Sequence, residues 1–448
     1  MVPRSGRDVK FLDGPFARCY TETSAPFVSP TMPFGQEGPM AIGMASPLRG
    51  RLLVGQSGGP TVVINSSLVG IIHEALGYPE IEGIYGMRNG ILGALHEDFL
   101  DLGRESPAVI EGLRYTPSAA LGTSRHRLKP EEYERVLQVF RAHNIRFFCY
   151  IGGNDSMDTA RRLEQLAKEA GYELRVMGVP KTVDNDLTHT DHCPGYGSAA
   201  RFVALMMRDT GLDTIAGAFS TPVKIVEIMG RHAGWLTAAA ALAKEGDEEA
   251  PPDLIYVPER PFSIARFLED VREVCKERGR CVVALSEGVR DEQGNFVAAL
   301  STATDAFGHR QLGGASVYLS QLVNDELGLK SRFEKPDTIQ RSMMICASPV
   351  DLNEAYMVGR MAVHHMMRGV SGKMVTLERA PGPAYYCTTG LVELEAVAEA
   401  ERLLPPEYLD ERGHPTKAFL DYALPLIGGH LPPYTHLKGY PVPRLLGG

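Results

Sequence analysis

Short apolar runs, each stopped by a glycine or proline turn and followed by apolar residues at helical spacing, recur along most of this chain. Phe147 to Ile151 is one such run; Gly152-Gly153 closes it, and Ala160, Leu163 and Ala167 follow. That order predicts a buried parallel strand, a tight turn and a helix N-terminus. Arg51 onward repeats it, with Gln56, Ser57, Gly58 and Gly59 at the turn and Ile64, Leu68, Ile71, Ile72 and Ala75 along one helix face. Val176–Val179 ended by Pro180, VKIVEIMGRHAGWL from Val223, and CVVALSEG from Cys281 are further strand–turn units. Strands alternating with helices in this way predict an α/β fold with mainly parallel sheets.

Between these units, EEYERVLQVFRAHNI and IARFLEDVREVCKERG read as amphipathic helices. NEAYMVGRMAVHHMMRGVSGKMV reads as a helix followed by a strand, and LVELEAVAEAERLL as a helix with a polar face. Two stretches lack either period. Residues 1–47, rich in Pro, Gly, Ser and Thr, read as a disordered or loosely attached extension, with Met44 a natural alternative start. The last thirty residues, with Pro-Pro-Tyr and Tyr-Pro, read as a surface tail.

Length and charge narrow the function. A chain of 448 residues is long enough for two or three domains. A net charge of −9 argues against nucleic-acid and membrane-surface partners, so any phosphate chemistry must rest on local basic groups. The seven cysteines are scattered without metal-ligand pairing, which fits reduced core residues of a cytoplasmic protein. No run approaches the roughly 18 apolar residues of a membrane span, and no apolar signal segment opens the chain.

The candidate chemistry sits on the loops after the strands. Asn154, Asp155 and Ser156 follow one; Lys181, Thr182, Asp184, Asn185 and Asp186 follow the next. Either loop alone reads as a turn capping its own backbone. Two together are different, because strand C-termini of an open α/β sheet share one crevice. Carboxylates, a lysine and glycine turns in one crevice are the groups that hold Mg²⁺ and a polyphosphate while a base deprotonates a hydroxyl. Ser124, Arg125, His126, Arg127 and Lys129 form the densest basic loop, a source of one guanidinium for phosphate. Gly230 permits close approach of a ligand, Arg231 beside it can reach a sugar phosphate, and Glu287 at the end of an apolar strand is placed to accept from a hydroxyl.

Seven motifs make the chain resemble the phosphofructokinases, and among them the pyrophosphate-dependent enzymes: QSGGPTVVIN from Gln56, IGGNDS from Ile151, PKTVDNDL from Pro180, GYGSAAR from Gly195, EIMGRHAGWL from Glu227, ALSEGVRD from Ala284 and PDTIQRS from Pro336. They stand in the family's order over roughly residues 50 to 345. The resemblance implies two Rossmann-like αβα domains with the active site in the cleft between them: 48–196 for the phosphoryl donor, 197–341 for the sugar phosphate, and 342–448 returning to the first domain before the tail. It implies Asp184 as general base, with Lys181 and Asp155 completing the catalytic set, and Gly58 and Arg125 at the donor. On the sugar side it implies Thr182, Met229, Gly230, Arg231, Glu287, Arg332, Thr338 and Arg341, with one of the last two arginines reaching across a subunit boundary. Thr338 rather than His309 takes the place of the family's sugar-binding histidine, because Arg332 and Arg341 bracket it. Mg²⁺ would rest on Asn154, Asp155 and Asp186.

The donor follows from two substitutions. ATP-using members of the family carry Gly-Gly-Asp-Gly and a glycine before the threonine; here the residues are Gly152-Gly153-Asn154-Asp155 and Lys181-Thr182. Asp155 puts a carboxylate where the α-phosphate of ATP would pass, a like-charge contact of several kcal/mol in a low-dielectric cleft. Lys181 adds an ammonium beside the transferred group. The expectation is therefore reversible phosphoryl transfer from diphosphate to fructose 6-phosphate by a homodimer or homotetramer. The alternatives are an ATP-dependent sugar-phosphate kinase, a pyrophosphate enzyme for sedoheptulose 7-phosphate, and a non-catalytic phosphate-sensing paralogue.

Overall fold

Eleven strands gather into two sheets among the described residues of the computed structural model, which are 48–247, 249–297, 314–382, 384–398, 400–437 and 439–445. The extension expected over residues 1–47, and His309, lie outside them. The first sheet contains β1 (Gly50–Gln56), β2 (Ile81–Met87), β3 (Phe99–Asp101), β4 (Ile145–Gly152), β5 (Arg175–Pro180), β10 (Lys373–Arg379) and β11 (Cys387–Glu393), in the order β11-β10-β5-β4-β1-β2-β3. The second contains β6 (Val223–Ile228), β7 (Leu254–Tyr256), β8 (Cys281–Ser286) and β9 (Ser331–Glu334), in the order β7-β8-β6-β9. All pairings are parallel except β2 with β3 and β10 with β11.

Burial explains why the strands read as unbroken apolar runs. β6 and β8 are buried at every position, and β4 at all but one, because helices cover both faces of a parallel sheet. The helix Ile64–Ala75 lies against the helix Pro349–Met367 at glycine crossings. A Cβ on Gly70 would stand 2.2 Å from the Tyr356 carbonyl oxygen, and one on Gly359 would stand 2.1 Å from that of Ser67, so the backbones touch where only glycine fits. Register sets the height of the site. Gln56 pairs with Ile151 and Gly152 with Pro180, so the turns after β1, β4 and β5 open at one level.

Two sequence readings need correction. LVELEAVAEAERLL does not form one helix: Leu391 to Glu393 complete β11 opposite β10, and the helix covers only Leu394–Ala398. Ladder pairing on the sheet edge overrides the helical propensity of these residues. The supposed tail also begins too early. Lys417–Leu426 is a helix that buries Phe419, Tyr422, Ala423 and Leu426 at helical spacing beside Trp235 and the helix Tyr196–Gly217. Irregular chain follows it from Leu431.

A buried ion network fastens the loop after β5 to the helix Pro349–Met367. His192 Nδ1 lies 2.8 Å from Asp191 Oδ1 and its Nε2 lies 2.7 Å from Glu354 Oε2. Arg379 Nε donates to Asp191 at 3.2 Å, and the Tyr385 hydroxyl donates to Glu354. Burial alone would lower the His192 pKa, but the two carboxylates push it up to about 9. Cys387 is close enough for this cluster to hold a metal. Both ring nitrogens are already engaged, however, so the arrangement reads as an imidazolium between two acids.

A pH dependence of stability follows. The folded-state pKa of His192 lies above its unfolded value near 6.5, so the stabilisation is whole below pH 6.5 and is lost as pH rises through 9. The expected loss is on the order of 2–3 kcal/mol. It is read from denaturant midpoints between pH 6 and 9.5, and His192→Gln should flatten the slope. An equal slope in the variant would assign it to other groups.

Candidate active site

Glycine opens the first turn to two cations. Gly58 takes φ +71°, and its neighbour Gly59 accepts a hydrogen bond from Lys181 Nζ at 2.9 Å. A Cβ on Gly58 would lie 3.2 Å from Lys181 Nζ, and one on Gly59 would lie 2.2 Å from Arg341 Nη1. Side chains at either place would therefore displace the ammonium or the guanidinium. The buried Gln56 braces this turn, donating to Asn65 Oδ1 and accepting from the Leu121 N–H, each at 2.9 Å. Asn65 Oδ1 also accepts from the Ala120 N–H. These bonds fix the stretch that leads to Arg125.

The second turn starts the helix Asn154–Glu169, with Asp155 exposed in its first turn. Asn154 Oδ1 accepts from the Asp155 N–H at 2.9 Å, which draws the neutral amide oxygen back onto the helix terminus. Opposite it, the Asp184 N–H donates to Thr182 Oγ1 at 3.1 Å, and Asn185 between the two acids takes a left-handed φ of 56°.

These turns, with Met229, Arg231 and Glu287 from the second sheet, line a cleft of about 240 Å³. Glu287 is wired to the turn facing it: the Glu287 N–H donates to Ile228 O at 2.9 Å, and Ser286 Oγ donates to Gly230 O at 2.6 Å. Gly230 takes φ +125°, where a Cβ would meet the Ala233 carbonyl at 2.5 Å.

The charges are crowded. Burial first, then Asp186 and Glu287, push the Asp184 carboxyl up to about 7. Burial and then the Arg341 charge bring Lys181 down to about 8, against the pull of Asp184 and Asp186. Burial, with Glu401 adding, also raises Asp186, and burial with Glu227 raises Glu287. Arg341 is lowered by burial and by the neighbouring Arg125 guanidinium. Arg231 Nε is buried without a hydrogen-bond partner. Basic groups gathered in this way, one with an orphaned donor, suit a polyanion, and the acid group beside them suits a cation or an acidic proton.

Of the residues singled out from sequence, Gly58, Arg125, Asn154, Asp155, Lys181, Thr182, Asp184, Asp186, Met229, Arg231, Glu287 and Arg341 line the cleft, and Gly230 shapes its turn. Arg332 does not. It is exposed on the edge strand β9 and borders a separate hollow with Thr221 and Asn324. Thr338 is exposed at the start of the short helix Ile339–Ser342, outside the cleft lining.

The structure adds Ser57, Gly59, Ser156, His232 and Glu401 to the lining. Sequence gave His232 no acidic neighbour, yet its Nδ1 stands 3.0 Å from Glu401, 169 residues away. A larger hollow of about 350 Å³ lies beside β7. There Tyr256 donates to Asp270 at 2.7 Å, and Arg266 stands 4.0 Å from the same acid.

Comparison with known proteins agrees with the motifs. The family model described as phosphofructokinase matches residues 51–366. A protein of Xanthomonas campestris pv. campestris named pyrophosphate–fructose 6-phosphate 1-phosphotransferase is 45% identical over 413 residues, 89% of this chain and 98% of that one. A sulfofructose kinase of Alkalicoccus urumqiensis is 39% identical over 363 residues, 81% of this chain and 92% of that one. The crystal structure of a pyrophosphate-dependent phosphofructokinase from Marinobacter aquaeolei superposes with a TM-score of 0.78 at 38% identity, covering 89% of this chain and 98% of that one.

One position tests the wiring between the two turns of the second sheet. A Cβ on Gly288 would lie 1.9 Å from the Arg231 carbonyl oxygen. Gly288→Ala should therefore shift the Met229–Arg231 backbone and lower stability by about 1–3 kcal/mol in urea denaturation. A variant as stable as its parent would mean that the two turns are not in the tight contact described.

Proposed function

The chain belongs to the phosphofructokinase family, and from that premise we propose that it is a pyrophosphate-dependent 6-phosphofructokinase. It moves a phosphoryl group reversibly from diphosphate to the 1-hydroxyl of fructose 6-phosphate, giving fructose 1,6-bisphosphate and phosphate. The observation that carries this reading is the meeting of Asp184 and Lys181 in one cleft. The acid is pushed up to about 7 and the ammonium brought down to about 8, while Asp155 faces them from the adjacent helix.

Asp184 accepts the proton of the 1-hydroxyl as the general base, since a base is most effective with a pKa near the working pH. The hydroxyl oxygen attacks the terminal phosphorus in line and phosphate leaves. Lys181, Arg125 and Arg231 face the charge that spreads over the transferred group, and Gly58 leaves room for the donor. Thr182 sets the hydroxyl; Met229 to Arg231 and Glu287 hold the sugar; Arg341 holds the 6-phosphate. Arg332, outside the cleft of its own chain, serves the 6-phosphate of a neighbouring subunit, with Thr338 assisting on the sugar, so the enzyme is a homodimer or homotetramer. No helix of the described residues is long and apolar enough to cross a membrane, and the proposed location is the cytoplasm.

The oxygen donors fit Mg²⁺, a hard cation. Asp186 holds its proton more tightly than an ordinary carboxyl because it is buried next to another acid, a crowding that a cation relieves. Asp155 and Asp186 would hold the ion, with the turned-back Asn154 contributing least. When bound, Mg²⁺ supplies charge neutralisation for the pyrophosphate oxygens.

Asp155 discriminates against ATP. With fructose 6-phosphate and Mg²⁺, initial velocity with pyrophosphate should exceed that with ATP by at least about 100-fold, the equivalent of roughly 3 kcal/mol. Equal use of ATP would overturn the role given to Asp155. The sulfofructose kinase relative favours a second reading on the acceptor side, so the same assay run with a sulfo-sugar and with sedoheptulose 7-phosphate decides the substrate.

The base assignment gives a second expectation. Asp184 acts ionised and Lys181 protonated, so kcat/KM should climb to about pH 7 and fall beyond about pH 8. Asp184→Ser should lose about 100-fold or more in kcat with KM changed little, and should lose the acid limb. Wild-type turnover in that variant would remove Asp184 from the role of base.

A further inference from the structure

Arg402 lies beyond the residues that the family model matches, yet it makes the densest set of hydrogen bonds to the loop carrying Asp184 and Asp186. Its Nε and Nη2 both donate to the Asn185 carbonyl, at 3.2 and 2.9 Å, and its Nη1 donates to the carbonyls of Thr190 and Asp191 at 2.7 and 2.6 Å. Its backbone N–H donates to Asp186 O at 2.7 Å. One residue thus collects four carbonyls from a loop whose Asn185 is held in the left-handed region at φ 56°, a conformation that its surroundings must support.

The other face of the same guanidinium is committed to the sugar side. It lies 4.5 Å from the Trp235 ring, and the indole Nε1 returns a hydrogen bond to Arg402 O at 3.1 Å. Trp235 follows directly on the turn that carries Met229, Arg231 and His232. Glu259 reinforces the join, accepting from the Gly234 N–H at 2.7 Å and from the Leu404 N–H at 2.9 Å. Glu401 touches His232 on the near side. Residues 401–404 therefore bridge the loop of the base and the turn of the sugar.

We propose that Arg402 is a positioning residue that fixes the distance between the base Asp184 and the sugar-binding turn Met229–Arg231. The proposal rests on the phosphotransferase reading for its kinetic half and on the hydrogen bonds alone for its structural half. A guanidinium suits the task because its rigid fork reaches several carbonyls at once while its plane stacks on indole. An ammonium on a flexible stem cannot do both. Misplacing reacting groups by about 1 Å costs on the order of 100-fold in rate.

The test compares the full-length wild type with Arg402→Ala and Arg402→Lys. Hydrogen exchange of the peptide spanning 182–194 needs no substrate and reads the clamp directly. It should quicken at least about tenfold in Arg402→Ala, with peptides from β4 and β8 unchanged. In the pyrophosphate assay, kcat should fall about 100-fold with KM for both substrates within about threefold. Added guanidinium should restore part of the rate, and sodium at equal ionic strength should not. Should Arg402→Ala fail to fold, Arg402→Lys carries the same test, with kcat down about tenfold. Val271→Ala, in the core of the second sheet, should leave kcat unchanged at a similar loss of stability. Unchanged loop exchange, or kcat within threefold of the wild type in either Arg402 variant, would overturn the proposal. A wild type without phosphotransferase activity would instead sink the functional reading, and the exchange measurement would still decide the clamp.

Discussion

The cleft depends on one constraint: opposite charges must be held close together out of water without neutralising one another fully. An unpaired buried charge costs several kcal/mol, and a paired one is tolerated only with good geometry. Here Lys181 is buried and gives one hydrogen bond to a backbone oxygen rather than a close ion pair with Asp184. The acid and the ammonium are thereby left poised, and the tension shows as an acid that holds its proton to about 7 and an ammonium that releases its own near 8.

Holding that tension is the work of the sheet. β1, β4 and β5 are adjacent, parallel and in register at their C-terminal ends, so three turns meet without long loops. Backbone geometry replaces side chains wherever space is short, as at Gly58 and Gly59. The loop after β5 has no regular structure of its own. It is held at its far end by the imidazolium of His192 between two carboxylates and in the middle by Arg402 and the hydroxyl of Tyr422, which donates to Asp191 O at 2.9 Å.

How much of this was legible in the sequence depends on range. The strand–turn–helix units were readable because each is written in twenty-odd consecutive residues whose apolar pattern has a period. That the glycine turns share one crevice then followed from the general habits of parallel sheets, whereas strand order and register came only with the structure. Ten of the proposed site residues meet in one cleft because they sit on those turns, and Arg125 and Arg341 join them from a loop and a short helix. What escaped was long-range. His232 acquires an acid from Glu401, and Arg402 reaches Asn185 across more than two hundred residues; nothing local in Glu-Arg-Leu-Leu distinguishes it from an ordinary helix end. The tail was misread because Phe419, Tyr422 and Leu426 stand among prolines that hid their spacing.

Arg332 was read from resemblance to the family and Thr338 from its place between Arg332 and Arg341, and neither says which subunit a side chain serves. β9 is an edge strand, and Arg332 on it is exposed, so the cleft of a single chain holds Arg341 but not Arg332. Relatives named for fructose 6-phosphate and for sulfofructose are similar to this chain over most of its length. The two named acceptors are both fructose derivatives, so the donor half of the cleft cannot tell them apart. Under the proposed reading, selection falls on the groups around the far end of the sugar, where the Arg341 guanidinium fills the space that a side chain on Gly59 would need. If Arg332 serves a neighbouring subunit, as proposed, acceptor choice and oligomeric state are coupled through the edge strand β9.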